Sequence, residues 1–164
     1  MPRRTTAIAA ALSLLPLGQP LLLGSTTAVA TAAVVLSTQA AHAQSASTYV
    51  DAGIEKGKSG DLQGAITDFN KAIEINPQDA YAYYNRGIAK EKSGDYQGAI
   101  ADLNKAIEIN PQYANAYNNR GIAKRKLGDD RGGCVDYKKA ASLGNQGTAQ
   151  WLNSEDGAWC RNMR

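Results

Sequence analysis

The chain has 164 residues, 20% of them charged, with two cysteines and one histidine. Its net charge of +3 falls to +1 over residues 44–164, where 16 Lys and Arg face 15 Asp and Glu, and this balance argues against a nucleic-acid partner. The only histidine, His42, precedes that segment, so Ser-His or Cys-His catalysis and a zinc site lack candidates there, and we expect no cofactor.

Residues 1–43 are typical of an export signal. Arg3 and Arg4 form a basic start, apolar runs follow, and no further charged residue appears before Asp51. Residues 41–43, Ala-His-Ala, fit the small-x-small cleavage pattern. We therefore expect cleavage after Ala43 and export to a periplasm, a thylakoid lumen or the cell exterior. The alternative is an uncleaved membrane anchor, although a spanning helix needs about 20 predominantly apolar residues and this stretch is interrupted by Pro, Gly, Ser and Thr.

The rest of the chain repeats itself. Residues 53–80 and 87–114 agree at 22 of 28 positions with an offset of 34, and a diverged third copy begins at Ala114. A fixed period of this length predicts stacked structural units. We expect units at 46–79, 80–113 and 114–147, followed by a capping helix and tail at 148–164.

Each unit is predicted to contain two helices, in the second unit near 80–93 and 96–109. Gly94 suits the left-handed residue that ends one helix, and Asp95 suits the N-cap of the next. Pro111 ends the second helix because it lacks an amide hydrogen. Apolar residues recur at spacings of three and four and predict its buried face: Ala99, Leu103, Ala106 and Ile107.

These units resemble tetratricopeptide repeats, whose pattern places a large residue, Gly, a small residue, an aromatic and Pro at fixed spacings. The second unit has Tyr83, Gly87, Ala99, Leu103 and Pro111 at these places. The resemblance implies an all-α, right-handed α-solenoid of three helix-turn-helix repeats with a C-terminal capping helix. It also implies a non-catalytic scaffold that holds a peptide or helix of a protein partner in a concave groove of first helices.

Two positions depart from that pattern. Arg86 and Arg120 stand where the family has Leu, with Ala52 in the first unit, and Lys recurs where the family has Tyr, at 56, 90 and 124. Their stems can cover apolar surface while their charged heads stay in water, which predicts a thin core between first helices. The acidic residues are expected to be solvated.

The resemblance places a groove-facing stripe on the first helices, where residues three and four apart share a face. In the second and third units it comprises Tyr81, Tyr84, Asn85, Ile88, Glu91, Lys92, Asn115, Asn118, Asn119, Ile122, Arg125 and Lys126. The first unit offers Ser47, Val50, Asp51, Ile54 and Lys58. Tyr84 is the expected anchor for a partner, and Tyr83 is expected to be buried. The alternative is a solvated surface without a ligand.

One known binding mode finds little support. Some members of the family hold a terminal carboxylate in a clamp of Lys, Asn and Arg, and this chain matches it only at Asn85. RNA recognition by the related pentatricopeptide design is the runner-up, opposed by the 34-residue period and the charge balance. A membrane-anchored assembly factor would differ only in keeping residues 1–43.

The C-terminal segment resembles the shorter Sel-like repeat and predicts a closing helix at 146–153. Trp151 and Trp159 are expected in the core, because a cap must supply apolar area. Cys134 and Cys160 form an even pair in a chain expected to be exported, which favours a disulfide between the last repeat helix and the tail. Free thiols are the alternative.

Overall fold

The computed structural model describes residues 45–163, whose regular structure is entirely α-helical. The helices are α1 at 45–59, α2 Leu62–Ile75, α3 Ala80–Lys92, α4 Tyr96–Ile109, α5 Ala114–Lys126, α6 Asp130–Ser142, α7 Gln146–Asn153 and α8 Ala158–Asn162. Across these described residues no helix is both long and apolar enough to cross a membrane. The predicted export signal at 1–43 lies outside them.

Consecutive helices pair and stack, which confirms the predicted all-α solenoid. The three helix pairs are α1–α2, α3–α4 and α5–α6, and α7 packs on α6 as the predicted closing helix. The bounds of α3, α4 and α7 agree with the predicted ranges to within a residue. Helix α8 was not predicted, because its five residues carry no periodic signal.

Local capping explains the regular bounds. Asp61, Asp95 and Asp129 each accept a hydrogen bond from the backbone amide three residues ahead, at 2.9, 2.9 and 2.8 Å. The preceding glycine has a positive φ in each turn, for example 88° at Gly94. A residue with a Cβ is strained in that conformation, so the Gly-Asp pair both ends one helix and starts the next.

Small residues bring the paired helices close together. Ala99 and Ala106 are fully buried with Leu103, whereas Ile107 is half-buried. A Cβ placed on Gly87 would lie 3.0 Å from Leu103 Cγ, so only glycine fits without displacing that side chain. The alanine-rich contact buries little apolar area in each unit. Polar contacts also hold the paired helices together.

The expected water-exposed heads of the extra Arg and Lys residues are instead held by buried carboxylates. Arg86 donates from Nη2 and Nε to Asp102 at 2.6 and 2.9 Å, and Lys90 Nζ lies 2.8 Å from the same carboxylate. The Asp102 side chain is only 6% exposed. The prediction that these charged groups and the acidic residues are solvated is wrong here, because each cation lies beside an Asp on the paired helix.

The third unit repeats this cluster, and the first unit has only part of it. Arg120 and Lys124 bind Asp136, whose side chain is 2% exposed. In the first unit Ala52 replaces the arginine, and Asp68 contacts Lys56 at 2.6 Å. We call each Asp with its Arg and Lys partners an ion cluster.

The ion clusters also join neighbouring units. Arg86 Nη1 donates to Asn70 of the first unit at 2.6 Å, and Arg120 Nη1 donates to Asn104 of the second at 2.7 Å. Each arginine therefore binds its own unit with one edge of the guanidinium and the preceding unit with another. A planar donor with five N–H groups can do this, whereas Lys cannot.

The C-terminal segment folds back on α6. Cys134 on α6 and Cys160 on α8 lie at disulfide-bonding distance, with Cα atoms 5.4 Å apart. Trp151 is half-buried and packs edge-on to Tyr137, with ring centroids 5.0 Å apart. Trp159 is 37% exposed beneath the Arg125 guanidinium, so its expected place in the core is wrong. It covers Trp151 from outside rather than filling a space between helices.

Candidate functional site: the groove of first helices

The predicted stripe lies along α1, α3 and α5, and most of it is accessible. Half-buried members are Ile54, Tyr84, Asn85, Ile88, Glu91, Asn118, Asn119 and Ile122. Exposed members are Ser47, Asp51, Lys58, Tyr81, Lys92, Asn115, Arg125 and Lys126. Val50 is the exception, because it is 4% exposed and packs with Phe69 and Ala82 in the core. We call the stripe without Val50 the groove.

Three tyrosines form an aromatic cluster at the groove, and two of them, Tyr81 and Tyr84, are groove residues. Tyr84 lies between Tyr81 and Tyr113, with ring centroids 6.4 and 4.8 Å away. Burial raises the pKa of Tyr84, against an opposing hydrogen bond from Asn119, and burial also raises the pKa of Tyr113. Both phenols therefore stay neutral at physiological pH. Tyr113 was not predicted, although it replaces the Asp79 of the preceding unit and so marks a difference between otherwise similar repeats.

Tyr84, the expected anchor for a partner, is also part of the packing between helices. It packs against the buried residues Leu103, Ala106 and Ala116, together with Tyr113. Tyr83, expected to be buried, is only half-buried, and the Arg86 guanidinium lies 5.4 Å from the centre of its ring. Tyr81 is therefore the more available aromatic, at 49% exposed.

A chain of side-chain hydrogen bonds crosses the groove from α3 to α7. Asn119 donates to the Tyr84 hydroxyl at 3.0 Å, Asn118 donates to Asn119 at 3.3 Å, and Thr148 donates to Asn118 at 2.6 Å. Asn145, the N-cap of α7, donates to Asn115 at 2.9 Å. Thr148 and Asn145 were missed by the sequence interpretation, since α7 carries no copy of the repeat. The bonds orient amides that can still pair with a ligand's backbone.

Two cavities open beside the groove at equivalent places in the stack. One, of about 170 Å³, is lined by Ile54, Lys58, Phe69, Asn85, Ile88 and Lys92, among others. The other, of about 370 Å³, is lined by Asn118, Ile122, Arg125, Tyr137, Thr148 and Trp151, among others. Each combines apolar walls with amide and cationic groups, which is the composition expected of a peptide side-chain site.

Glu91 lies between the two cavities along the stack and is half-buried. Burial raises the pKa of its carboxyl, and the nearby Lys126 and Lys92 act in the opposite direction. Its equivalents in the first and third units are Gly57 and Arg125. At this position the groove therefore has no side chain in the first unit, a carboxylate in the second and a guanidinium in the third. Among residues 45–163 no group of His, Cys, Asp or Glu has the arrangement of a metal site.

Comparison with known proteins gives a consistent result. A family model described as "TPR repeat" matches residues 58–94 and 92–128. No curated protein gives a significant match. The first TPR of Spaghetti (RPAP3), bound to an HSP90 peptide, is 26% identical, with 68% of this chain and 96% of that one covered and a TM-score of 0.62.

Two further solved structures are similar. The TPR2B domain of yeast Sti1, in a complex with an Hsp70 segment, is 25% identical over 74% of this chain and 99% of that one, with a TM-score of 0.65. MamA is 28% identical over 65% of this chain and 63% of that one, with a TM-score of 0.60.

Proposed function

Because its repeats match the model of the tetratricopeptide repeat and its fold matches solved domains built from that repeat, we propose that the chain is a non-catalytic scaffold that binds a peptide or helical segment of another protein in the groove. The observation that carries this proposal is the chain of bonds from Tyr84 through Asn119 and Asn118 to Thr148. It holds the two neighbouring amides of α5, Asn118 and Asn119, in fixed orientations between α3 and α7, and both amides are only half-buried. Groups ordered before binding lose less conformational freedom when a ligand arrives.

The similar structures support a peptide as the class of ligand. Two of them hold segments of the chaperones HSP90 and Hsp70. Those particular ligands do not transfer with the fold, since only Asn85 matches the clamp for a terminal carboxylate. The proposed ligand is therefore an internal segment, bound through its backbone by Asn and through its side chains by the two cavities.

The proposed place of action is outside the cytoplasm. The support is the sequence of residues 1–43 and the position of Cys134 beside Cys160, since disulfides persist in oxidising compartments. Intact mass of the protein from the exported fraction tests this. We expect a chain that begins at Gln44, and a mass that retains residues 1–43 would contradict cleavage.

Photo-cross-linking tests the groove itself. A photoreactive residue at Tyr81, which is 49% exposed, should capture a partner in the native compartment. The matched control is Val135 on α6, which is 62% exposed but belongs to a second helix. Equal capture from both positions, or capture from Val135 alone, would contradict binding in the groove.

Tyr81→Ala gives the energetic version of the same test. Interface anchors are often rigid aromatics, and their truncation commonly costs about 1–2 kcal/mol of binding free energy. We expect that loss in affinity for the captured partner, with no comparable loss from Val135→Ala. Tyr84→Ala is less informative, because its ring also packs on Tyr113 and its loss would lower stability.

A further inference from the structure

Two groove positions are the same in all three units. Ile54, Ile88 and Ile122 occupy one, and Lys58, Lys92 and Lys126 occupy the other. The isoleucines are half-buried and the lysines exposed. Because packed helices lie on the order of 10 Å apart, these residues form an apolar row beside a cationic row, each with a step of that order. We call them the isoleucine row and the lysine row.

The two rows meet at the smaller cavity, and in the larger cavity the cation beside the isoleucine row is Arg125. Ile54, Lys58, Ile88 and Lys92 together line the smaller cavity, and Ile122 lines the larger one with Arg125. A side chain that enters either cavity therefore lies close to a cation. The combination suits an apolar side chain with an anion close to it in sequence.

Acidic residues of the chain neutralise the groove only in part. Lys58 is paired with Glu55 at 2.8 Å, and Arg125 lies 3.4 Å from Asp130. Within the groove the cations Lys58, Lys92, Arg125 and Lys126 outnumber the acids Asp51 and Glu91. The excess lies on α5, where Arg125 and Lys126 have no acidic groove residue beside them, whereas Lys92 and Glu91 balance on α3. A cationic ligand would meet repulsion there, and an anionic one attraction.

We propose that the occupant of the groove is an acidic protein segment whose apolar side chains reach the isoleucine row while its carboxylates lie on the lysine row. This rests on the groove function proposed above and names the chemistry of its ligand. The isoleucines offer no hydrogen bond to a nucleic-acid phosphate, and the near-neutral charge of residues 44–164 does not favour such a ligand. Glu91 opposes the acidic segment locally and so limits the register in which it can bind.

Two synthetic peptides test the proposal on the protein purified from its own compartment. Both have the same spacing of Leu, and the intervening positions are Glu in one and Lys in the other. We expect the Glu peptide to bind more tightly, and its affinity to fall with added salt, because exposed charges are screened over about 10 Å at 0.1 M salt.

Variants assign the effect to the lysine row. Replacing Lys92 and Lys126 together by Gln should weaken binding of the Glu peptide by about five-fold, the sum of two exposed ion pairs. Replacing Lys71 and Lys139, exposed residues of α2 and α6, changes the net charge equally and should leave affinity unchanged. Glu91→Gln should tighten binding, because it removes the repulsion.

Three results would overturn the proposal. The Lys peptide could bind as tightly as the Glu peptide, the control pair of substitutions could weaken binding as much as the lysine-row pair, or neither peptide could bind. The groove function itself is judged independently by cross-linking at Tyr81. Selective capture there together with any of these results would retain the groove and reject the acidic ligand.

Discussion

The first unit and the two that follow differ mainly in how their buried carboxylates are held. Asp102 and Asp136 each bind an Arg and a Lys, and that Arg also reaches an Asn of the preceding unit. Asp68 contacts Lys56, whose side chain is 44% exposed, and Ala52 stands where the Arg would be. Nearly identical repeats can therefore differ in stability, since a buried charge with too few partners is destabilising.

The units with complete ion clusters also contain the hydrogen-bonded part of the groove. The hydrogen-bonded chain from Tyr84 to Thr148 lies on α3, α5 and α7, alongside the complete ion clusters. Helix α1 contributes Ile54 and Lys58 to the groove, and it forms the incomplete ion cluster with α2. We expect α1 and α2 to open first, because local opening follows the least supported contacts.

The largest expected effect is from breaking a complete cluster. Asp136→Ala leaves Arg120 and Lys124 without their carboxylate, and we expect the free energy of unfolding to fall by about 3–5 kcal/mol. Denaturant unfolding measures it. Asp68→Ala is the matched control and should cost clearly less, because Lys56 can return to water. Equal losses of unfolding free energy in the two variants would show that Arg120 contributes nothing to the stability of its ion cluster.

The third unit has a further support in its tail. Without the predicted bond between Cys134 and Cys160, we expect a loss of about 3.5 kcal/mol, the chain-entropy value for a loop of this length. Cys160→Ala and reduction of the unchanged protein should give the same loss in denaturant unfolding. Non-reducing peptide mapping checks the pairing directly, and two freely alkylated thiols in protein from its own compartment would refute it.

Completing the first cluster should stabilise the protein. Ala52→Arg places a guanidinium where Arg86 and Arg120 lie in the other units, and we expect a gain of about 1 kcal/mol from hydrogen bonds to Asp68. Ala52→Met adds aliphatic area without the charge and serves as the control. If Met gives the same gain in unfolding free energy, packing and not the ion cluster explains it.

The smallest expected effect concerns Glu91, where burial raises the carboxyl pKa in the fold. The folded state then holds this proton to higher pH than the unfolded state, so stability from this group is present below the ordinary pKa near 4.5 and is lost as pH rises through the raised value. Glu91→Gln should remove this fall in stability with rising pH. Lys92 and Lys126 reduce the size of the fall, because they lower the pKa of Glu91. Unfolding free energies measured across this pH range check it, and parallel curves for the two proteins would contradict it.

Local chemistry made most of the fold predictable. Gly94 and Asp95 determine where α3 ends and α4 begins, and Pro111 limits α4, so the helix bounds follow from a few neighbouring residues. The groove stripe on α3 and α5 came from the resemblance to the repeat family, combined with the spacing of three and four residues that share one face of a helix. The prediction that Val50 lies in the groove was wrong, because this apolar side chain packs into the core against Phe69.

What depends on distant contacts was not predictable in the same way. Asn118 accepts a hydrogen bond from Thr148 of α7, and Arg125 lies over the ring of Trp159 of α8. These two helices do not repeat the earlier units. The sequence did contain a signal for the ion clusters, but the recurring charged residues were interpreted as solvated. Asp68, Asp102 and Asp136 recur at one position, and the recurring Lys lies twelve residues before each. A charge that recurs in every unit together with its opposite indicates pairing rather than a solvated face.

Native-state hydrogen exchange tests the central comparison most directly, because it measures the opening free energy of each helix in one sample. We predict that the amides of α1 and α2 open at a lower free energy than those of α4 and α6. Ala52→Arg should narrow that gap, whereas Ala52→Met should leave it. A uniform opening free energy across α2, α4 and α6 in the unchanged protein would contradict the assignment of the difference between units to their ion clusters.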